Sequence, residues 1–344
     1  MLRPWARRSI PAARPFRHPS RPLHTAQAEH GGACLDRGHA TALYLAAMTT
    51  PVTFAAPHAF LGARLHDRGA TFCVAGVPLD IGTTNRAGSR DGPRAIRVAA
   101  RMLTDGRHPV TGVDPTALDL SDLGEFEIAL GDIPASLARI EEQAFGLNHL
   151  LAFGGEHGVT LALLRALVKR IGEPVGLVHF DAHLDTSEDN FGQRFAHGSV
   201  FWHAITEGLI APKRMIQIGI RAPAWPEMYD WTRGQGVTIL SAQEVHEGTP
   251  AAIAEHVREV VGSGPAYLSF DIDCLDPAFA PGTGTPEIGG LASWQAQGIL
   301  RRLSTLDFRG ADVVEVAPAY DVAEITALAA ATVGWEYLCL LGAR

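Results

Sequence analysis

The sequence predicts an α/β protein built on a mainly parallel sheet with helices on both faces. Three observations predict it. Short, continuously apolar runs recur, bounded by Gly, Pro or Asp, as in strands buried on both faces. Segments with helical spacing lie between these runs. Polar clusters fall where the runs end, which is where ligands bind in open α/β sheets.

In chain order, the first predicted strand covers residues 71–77. Pro93 suits a first helical position and opens a helix over 93–103. A helix over 135–147 leads to a strand at 149–153. A helix over 159–171 leads to a strand at 175–180. A helix over 199–207 precedes strands at 215–220 and 237–240. The pattern closes with helix 251–261, strand 266–270, helix 293–303, strand 312–316 and helix 322–340. Alternation of this kind means a parallel sheet. No linker or repeat interrupts residues 70–344, so residues 51–344 are expected to form a single domain.

Residues 1–28 read differently. They carry Arg3, Arg7, Arg8, Arg14, Arg17 and Arg21 and no acid. An Arg-rich, acid-poor segment resembles a mitochondrial transit sequence. Pro4, Pro11, Pro15, Pro19 and Pro22 oppose the amphipathic helix such a sequence needs. The alternatives are an unstructured tail or translation that starts at Met48. Residues 1–50 are therefore set outside the fold. The expected location is cytoplasmic, or mitochondrial if residues 1–47 are a transit segment.

The net charge of −8 supplies no basic field for nucleic acid. No apolar run reaches the roughly 18–20 residues that span a bilayer. The nearest, from Ile325 to Leu341, is interrupted by Glu336 and reads as a buried C-terminal helix. Neither a nucleic acid nor a membrane is expected as a partner. Cys34, Cys73, Cys274 and Cys339 form no close-spaced metal pair, and reduced thiols are expected.

The chemistry-bearing residues lie in three clusters. Gly154-Gly155-Glu156-His157 follows the predicted strand at 149–153. A glycine turn before a helix is ordinary, so alone it says little. Asp181-Ala182-His183-Leu184-Asp185 follows the run at 175–180. If extended, its residues i, i+2 and i+4 share one face. Carboxylates packed this closely repel unless a cation neutralises them. The bland reading is a loop of solvated acids. The third cluster is Ser269-Phe270-Asp271-Ile272-Asp273-Cys274-Leu275-Asp276-Pro277. A lone Asp-x-Asp is common, and its force comes from company. Together the clusters offer aspartates and histidines from three strand ends. Carboxylate-rich ligation with some imidazole suits a metal such as Mn²⁺ better than structural zinc. Four carboxylate charges match two divalent cations, which can activate a shared water.

These three segments, in this order, resemble the signatures of the arginase and agmatinase (ureohydrolase) family. The resemblance runs from about Phe72 to Leu340. It implies an arginase-like, three-layer α/β/α sandwich and a dinuclear manganese site. By resemblance, one metal takes His157, Asp181, Asp185 and Asp271. The other takes Asp181, His183, Asp271 and Asp273. Asp181 and Asp271 would bridge. His197, in Phe195-Ala196-His197-Gly198-Ser199, matches a histidine near the family's reaction centre, and imidazole suits proton transfer. Without the family it would read as a surface histidine beside a glycine turn. Glu315 is a carboxylate within an apolar strand pattern and needs a partner if buried. The resemblance makes that partner the substrate guanidinium. The alternative is a salt bridge to an arginine of the fold.

The implied chemistry is hydrolysis of a small guanidino compound to urea and an amine. An activated water attacks the guanidinium carbon. Asp185 helps orient it, and His197 helps protonate the leaving amine. Residues 281–287, 315–321 and 324–328 look more like agmatinases than arginases. Arginases carry Asn where this chain has Ser187. Agmatine is therefore the expected substrate, giving putrescine, with guanidinobutyrate and guanidinopropionate as alternatives. Gly158 departs from the serine that often follows the family's Gly-Gly-x-His. A homo-oligomer, trimer or hexamer, is expected by resemblance alone. Other classes to weigh are a catalytically silent metal-binding oligomer, a Mg²⁺ phosphohydrolase and an amine-binding module. The chain lacks a Walker-type phosphate loop, and Glu315 would repel phosphate.

Overall fold

The computed structural model describes residues 59–343. The expected boundary at residue 50, the arginine-rich segment and Cys34 lie outside the described residues. Nine strands form one sheet: β1 (Arg64–Leu65), β2 (Phe72–Val77), β3 (Leu120–Glu125), β4 (Leu150–Gly154), β5 (Val175–Phe180), β6 (Ile210–Ile220), β7 (Thr238–Ser241), β8 (Pro265–Asp271) and β9 (Asp307–Val314). Their order is β1-β3-β2-β4-β9-β8-β5-β6-β7. Each neighbouring pair runs parallel.

The strand pleat creates two separate cores. In β8, Ala266, Leu268 and Phe270 enter one core and Tyr267 the other. In β4, Leu151 and Phe153 enter the first and Ala152 the second. Such alternation is what a two-sided sheet requires. Helices α1 (Gly92–Ala99), α6 (Ala242–Glu247), α7 (Pro250–Val261), α8 (Ser293–Leu300) and α9 (Ile325–Gly342) pack on the first face. Helices α2 (Ile133–Ala144), α3 (Val159–Ile171) and α4 (Val200–Thr206) pack on the second. The protein is the expected three-layer sandwich.

Local chemistry sets the helix ends. Asp132, Ser241 and Thr249 each accept a backbone N–H in the first turn, of α2, α6 and α7 respectively. Gly172 ends α3 in the left-handed conformation that glycine adopts freely. Helix α9 is long and apolar enough to cross a membrane, yet 72% of it is buried within the protein. Its Glu336 is buried too, paired with Arg301 and with His108 Nε2 at 2.8 Å.

Four elements escape the sequence pattern: β1, β3, α5 (Pro226–Gly234) and α6. Strand β3 carries Asp122, whose buried charge is matched by Arg97 of α1 at 2.7 Å. Pairing lets a charge lie inside a sheet, but it removes the apolar run that betrays a strand. Strand β9 also begins five residues earlier than the run at 312–316 suggests, and it ends at Val314. Glu315 therefore lies just beyond the strand rather than inside it, with φ +64°.

Candidate active site

Four neighbouring central strands, β4, β9, β8 and β5, deliver the site at their carboxyl ends. His157 follows the turn after β4, and Asp181 follows β5 directly. Asp271 is the last residue of β8, and Glu315 follows β9. Sequence position alone could not show that these ends are adjacent.

His157, Asp181, Asp185 and Asp271 converge. His157 Nδ1 lies 3.0 Å from Asp185 Oδ2 and 3.2 Å from both Asp181 Oδ2 and Asp271 Oδ2. It forms a directed hydrogen bond with none of them. A buried nitrogen facing three carboxylate oxygens without bonding any is what a cation's ligand shell looks like. A second group joins through Asp181. Its Oδ1 lies 3.3 Å from His183 Nδ1, which lies 3.1 Å from Asp273 Oδ2. Asp181 thus turns one oxygen toward each group. His157 with His179 and Asp181, and Asp181 with His183 and Asp273, are spaced to hold a metal ion.

The segment 181–185 reaches this arrangement by turning. It is not extended after Phe180, and Asp185 has φ +51°. The shared face comes from that turn and not from strand alternation. Likewise, Asp271 caps a short turn by accepting the Asp273 N–H at 2.9 Å.

The electrostatics fit a cation. Burial, with Asp273 and Asp181 alongside, pushes Asp271 well above the usual carboxylate range. Burial also pushes Asp273 up, against the pull of His183. Asp181 is buried as well, but His179, His157 and His183 outweigh that and hold it well below. Without cations these carboxylates must share protons; with them, each can ionise.

Several supporting residues were not foreseen. His179 Nε2 lies 2.7 Å from Asp181 Oδ2, and its Nδ1 faces Gln217 Nε2 at 3.0 Å. His157 Nε2 meets Ser269 Oγ at 2.9 Å, and Ser269 donates to Asp312 Oδ1 at 2.7 Å. Asp312 Oδ2 accepts from Thr160 and Tyr267. Gln217, His179, Ser269 and Asp312 are register partners across β6, β5, β8 and β9. They form one buried polar row beneath the cluster. Ser269 bonding Nε2 leaves Nδ1 of His157 facing the carboxylates, the nitrogen left to ligate a cation.

Glu315 is the second focus. Its Oε1 accepts the His157 backbone N–H at 2.9 Å and lies 3.0 Å from His197 Nδ1. Its Oε2 is buried without a partner. No arginine answers it among the described residues, so the salt-bridge alternative falls. His197 Nε2 meets Thr84 Oγ1 at 2.8 Å. Burial alone would lower the His197 pKa, but the Glu315 hydrogen bond and nearby carboxylates raise it to about 9. Glu156 lies behind: burial, then Glu315, push it up to about 8. At Gly158 a Cβ would stand in tight contact with it, 3.3 Å from Glu156 Oε1.

A cleft of about 160 Å³ opens at His197 and the carboxylate cluster, lined by Thr84, His183, Asp185, His197, Ser187 and Asn190, among others. A cleft of about 180 Å³ between α8 and α9 is lined mainly by apolar side chains such as Phe279 and Ile325, and by no titratable group.

Residues 70–339 match the arginase family. The chain belongs to that family. A guanidinopropionase from Pseudomonas aeruginosa is 48% identical over 77% of this chain and 85% of its own. An agmatinase from Cronobacter sakazakii is 44% identical over 81% of this chain and 90% of its own. A crystal structure of a hypothetical agmatinase from Burkholderia thailandensis superposes with a TM-score of 0.79 at 42% identity, covering 84% of this chain and 92% of that one. The family is dinuclear and metal-dependent, and the His/Asp cluster here is able to bind metal. The protein is thus an arginase-family hydrolase of guanidino compounds.

Proposed function

We propose that this chain hydrolyses agmatine to putrescine and urea at a two-manganese site. The observation that carries the reading is the pairing of two unsatisfied buried atoms. His157 Nδ1 awaits a cation, and Glu315 Oε2 awaits a donor. In this reading one cation would be held by His157, Asp181, Asp185 and Asp271. The second would be held by Asp181, His183, Asp271 and Asp273. Oxygen-rich ligation with imidazole favours Mn²⁺. When bound, the pair lowers the pKa of water and so supplies a nucleophile at neutral pH.

The chain's own residues do the rest. Glu315 Oε2 accepts hydrogen bonds from the guanidinium and fixes its carbon. Asp185 orients the attacking water. Water adds to the carbon, and the bond from carbon to the tail nitrogen breaks. The amine leaves as an ammonium and urea remains, so the single positive charge is conserved. His197 lines the cleft with Nδ1 on Glu315 Oε1 and Nε2 beside the Thr84 N–H and hydroxyl; its pKa, raised to about 9, suits it to pass a proton to the leaving nitrogen and recover one from the water.

Among the described residues, the cleft lining contains no lysine or arginine. A carboxylate tail therefore finds no such basic side chain to answer it. That favours agmatine. The guanidinopropionase relative favours a second reading, a carboxylate-tailed guanidine. Urea release by Mn²⁺-loaded protein separates them, with agmatine, arginine, guanidinobutyrate and guanidinopropionate in parallel. Agmatine turnover well above the rest supports the proposal. Preference for a carboxylate tail replaces the substrate and keeps the chemistry. No urea from any of them, with metal bound, defeats it. A trimer or hexamer is the assembly inferred from the family, to be checked by light scattering.

A further inference from the structure

Arg221 lies just past β6 and touches neither the cleft nor any carboxylate oxygen of the cluster. Its donors instead meet main-chain carbonyls from three places. Nη1 donates to Gly219 O and Cys274 O, both at 3.2 Å. Nη2 donates to Asp273 O at 2.8 Å, Leu275 O at 3.3 Å and Glu287 O at 2.7 Å. The loop is shaped around this group. A Cβ on Gly290 would stand 2.6 Å from Nη2 and 2.5 Å from Asp276 N.

The carbonyls belong to segments with different duties. Residues 273–275 carry Asp273, which faces His183. Glu287 ends the stretch that holds Thr285 and Gly284. Thr285 Oγ1 lies 3.3 Å from Asp273 Oδ2, and Gly284 faces Glu315 Oε2, its Cβ position 3.6 Å away. One guanidinium therefore ties the metal side of the site to the wall of the guanidinium side. Arg221 does not reach His157, whose ring is held by Ser269 and through it Asp312, and whose backbone N–H is taken by Glu315.

We infer that Arg221 is a positioning residue that fixes the Asp273–His183 half of the site and the substrate-side wall together. The inference rests on the dinuclear reading proposed above. An arginine suits the task because the two Nη groups of its planar fork offer four N–H donors in fixed directions, where lysine offers one compact ammonium; its Nε is buried without a hydrogen-bond partner among the described residues.

The test compares wild type, Arg221→Met and Arg221→Lys after metal stripping. Each is titrated with Mn²⁺ by calorimetry, and each metal-free protein is melted. Wild type is expected to bind two Mn²⁺ per chain. Arg221→Met should keep one site and weaken the other by about tenfold or more, the scale on which a metal's outer-shell partners act. At saturating Mn²⁺ its KM should rise more than its kcat falls. Arg221→Lys should fall between the two, which keeps the test open if the methionine variant does not fold. Two unchanged Mn²⁺ affinities with an unchanged KM would overturn the inference. So would equal weakening of both sites in step with a lower melting temperature, the mark of a purely structural role. Wild type that binds fewer than two Mn²⁺ would sink the dinuclear reading instead, and this inference with it.

Discussion

Replacing Glu315 with glutamine should separate function from stability. The side chain keeps its shape, and its remaining oxygen can still accept from the His157 N–H and face His197. What changes is Oε2, which is buried and unpartnered. In the substrate complex this oxygen would make hydrogen bonds to a charged group, each about 1.5–3 kcal/mol. One such bond corresponds to a loss of about 10–150-fold in kcat/KM. The new amide would also point donors at guanidinium donors, so the upper end is expected. Without substrate the sign reverses. An unpartnered buried polar atom costs about 1–3 kcal/mol, more when charged, and glutamine removes the charge. Against this stands the lost charge that raises His197, so the two offset and the metal-free variant should melt close to wild type. Urea release at saturating Mn²⁺ and a denaturation midpoint on stripped protein read the two effects. A kcat/KM within about threefold of wild type would refute the role given to Oε2. A large drop in stability would show that Glu315 is instead a structural partner.

Gly284→Ala places a Cβ 3.6 Å from Glu315 Oε2 and 3.0 Å from Arg86 O. It should raise KM for the guanidino substrate by about tenfold with little change in kcat, since it crowds binding alone; an unchanged KM argues that the guanidinium sits elsewhere. Asp312→Asn weakens the Ser269 link to His157 and should lower Mn²⁺ affinity by about 10–100-fold. Titration of stripped protein checks this, and an unaltered isotherm counts against the buried polar row. On the acid side, the Thr71 N–H and hydroxyl, then Arg64, hold Asp119 down to about 2. A depressed pKa gives stability that is present above the unfolded value near 3.8 and lost as pH falls through about 2. Wild type should thus lose more stability than Asp119→Asn between those pH values, measured as urea midpoints; parallel profiles would exclude the contribution.

The candidate ligands were legible because each sits where an apolar run stops. A buried strand cannot carry Asp181 or Asp271 inside its run without a partner, so the acids fall at its end. What was not legible is what lies across the sheet. His179, Ser269 and Asp312 are separated by dozens of residues yet are neighbours in register. Each is a polar interruption in an apolar run, which alone reads as a satisfied core residue. Only strand order, with β9 and β8 inserted between β4 and β5, shows that they line up. Strand β3 was missed for a related reason: Asp122 interrupts its pattern, and the compensating Arg97 lies on a helix. Glu315 reads as part of a strand because the residues flanking it, Val314 and Val316, are apolar. Backbone direction, not composition, turns it toward the site.

That turn has an energetic meaning. Glu315 and Asp185 adopt positive φ, at +64° and +51°. Non-glycine residues there cost of order 1–3 kcal/mol each, and they persist only where the surroundings hold them. Here the holders are backbone bonds, Glu315 N–H to Gly155 O and Phe201 N–H to Asp185 O, both 2.9 Å. At Glu315 the strained backbone carries an unpartnered atom, and a ligand of the right charge would satisfy it. The two foci also call for different ligands. An imidazole nitrogen amid carboxylates calls for a cation, and a lone carboxylate oxygen calls for a donor. Glu315 is kept out of the first set because the His157 N–H and His197 take its other oxygen. Two metals and a guanidinium, all positive, can then share one cleft without competing for the same acid. It follows that Glu315→Gln should leave Mn²⁺ stoichiometry unchanged, while Asp271→Asn should reduce it. A glutamine variant that lost a metal would mean that Glu315 belongs to the cation site and that the division of charge argued here is mistaken.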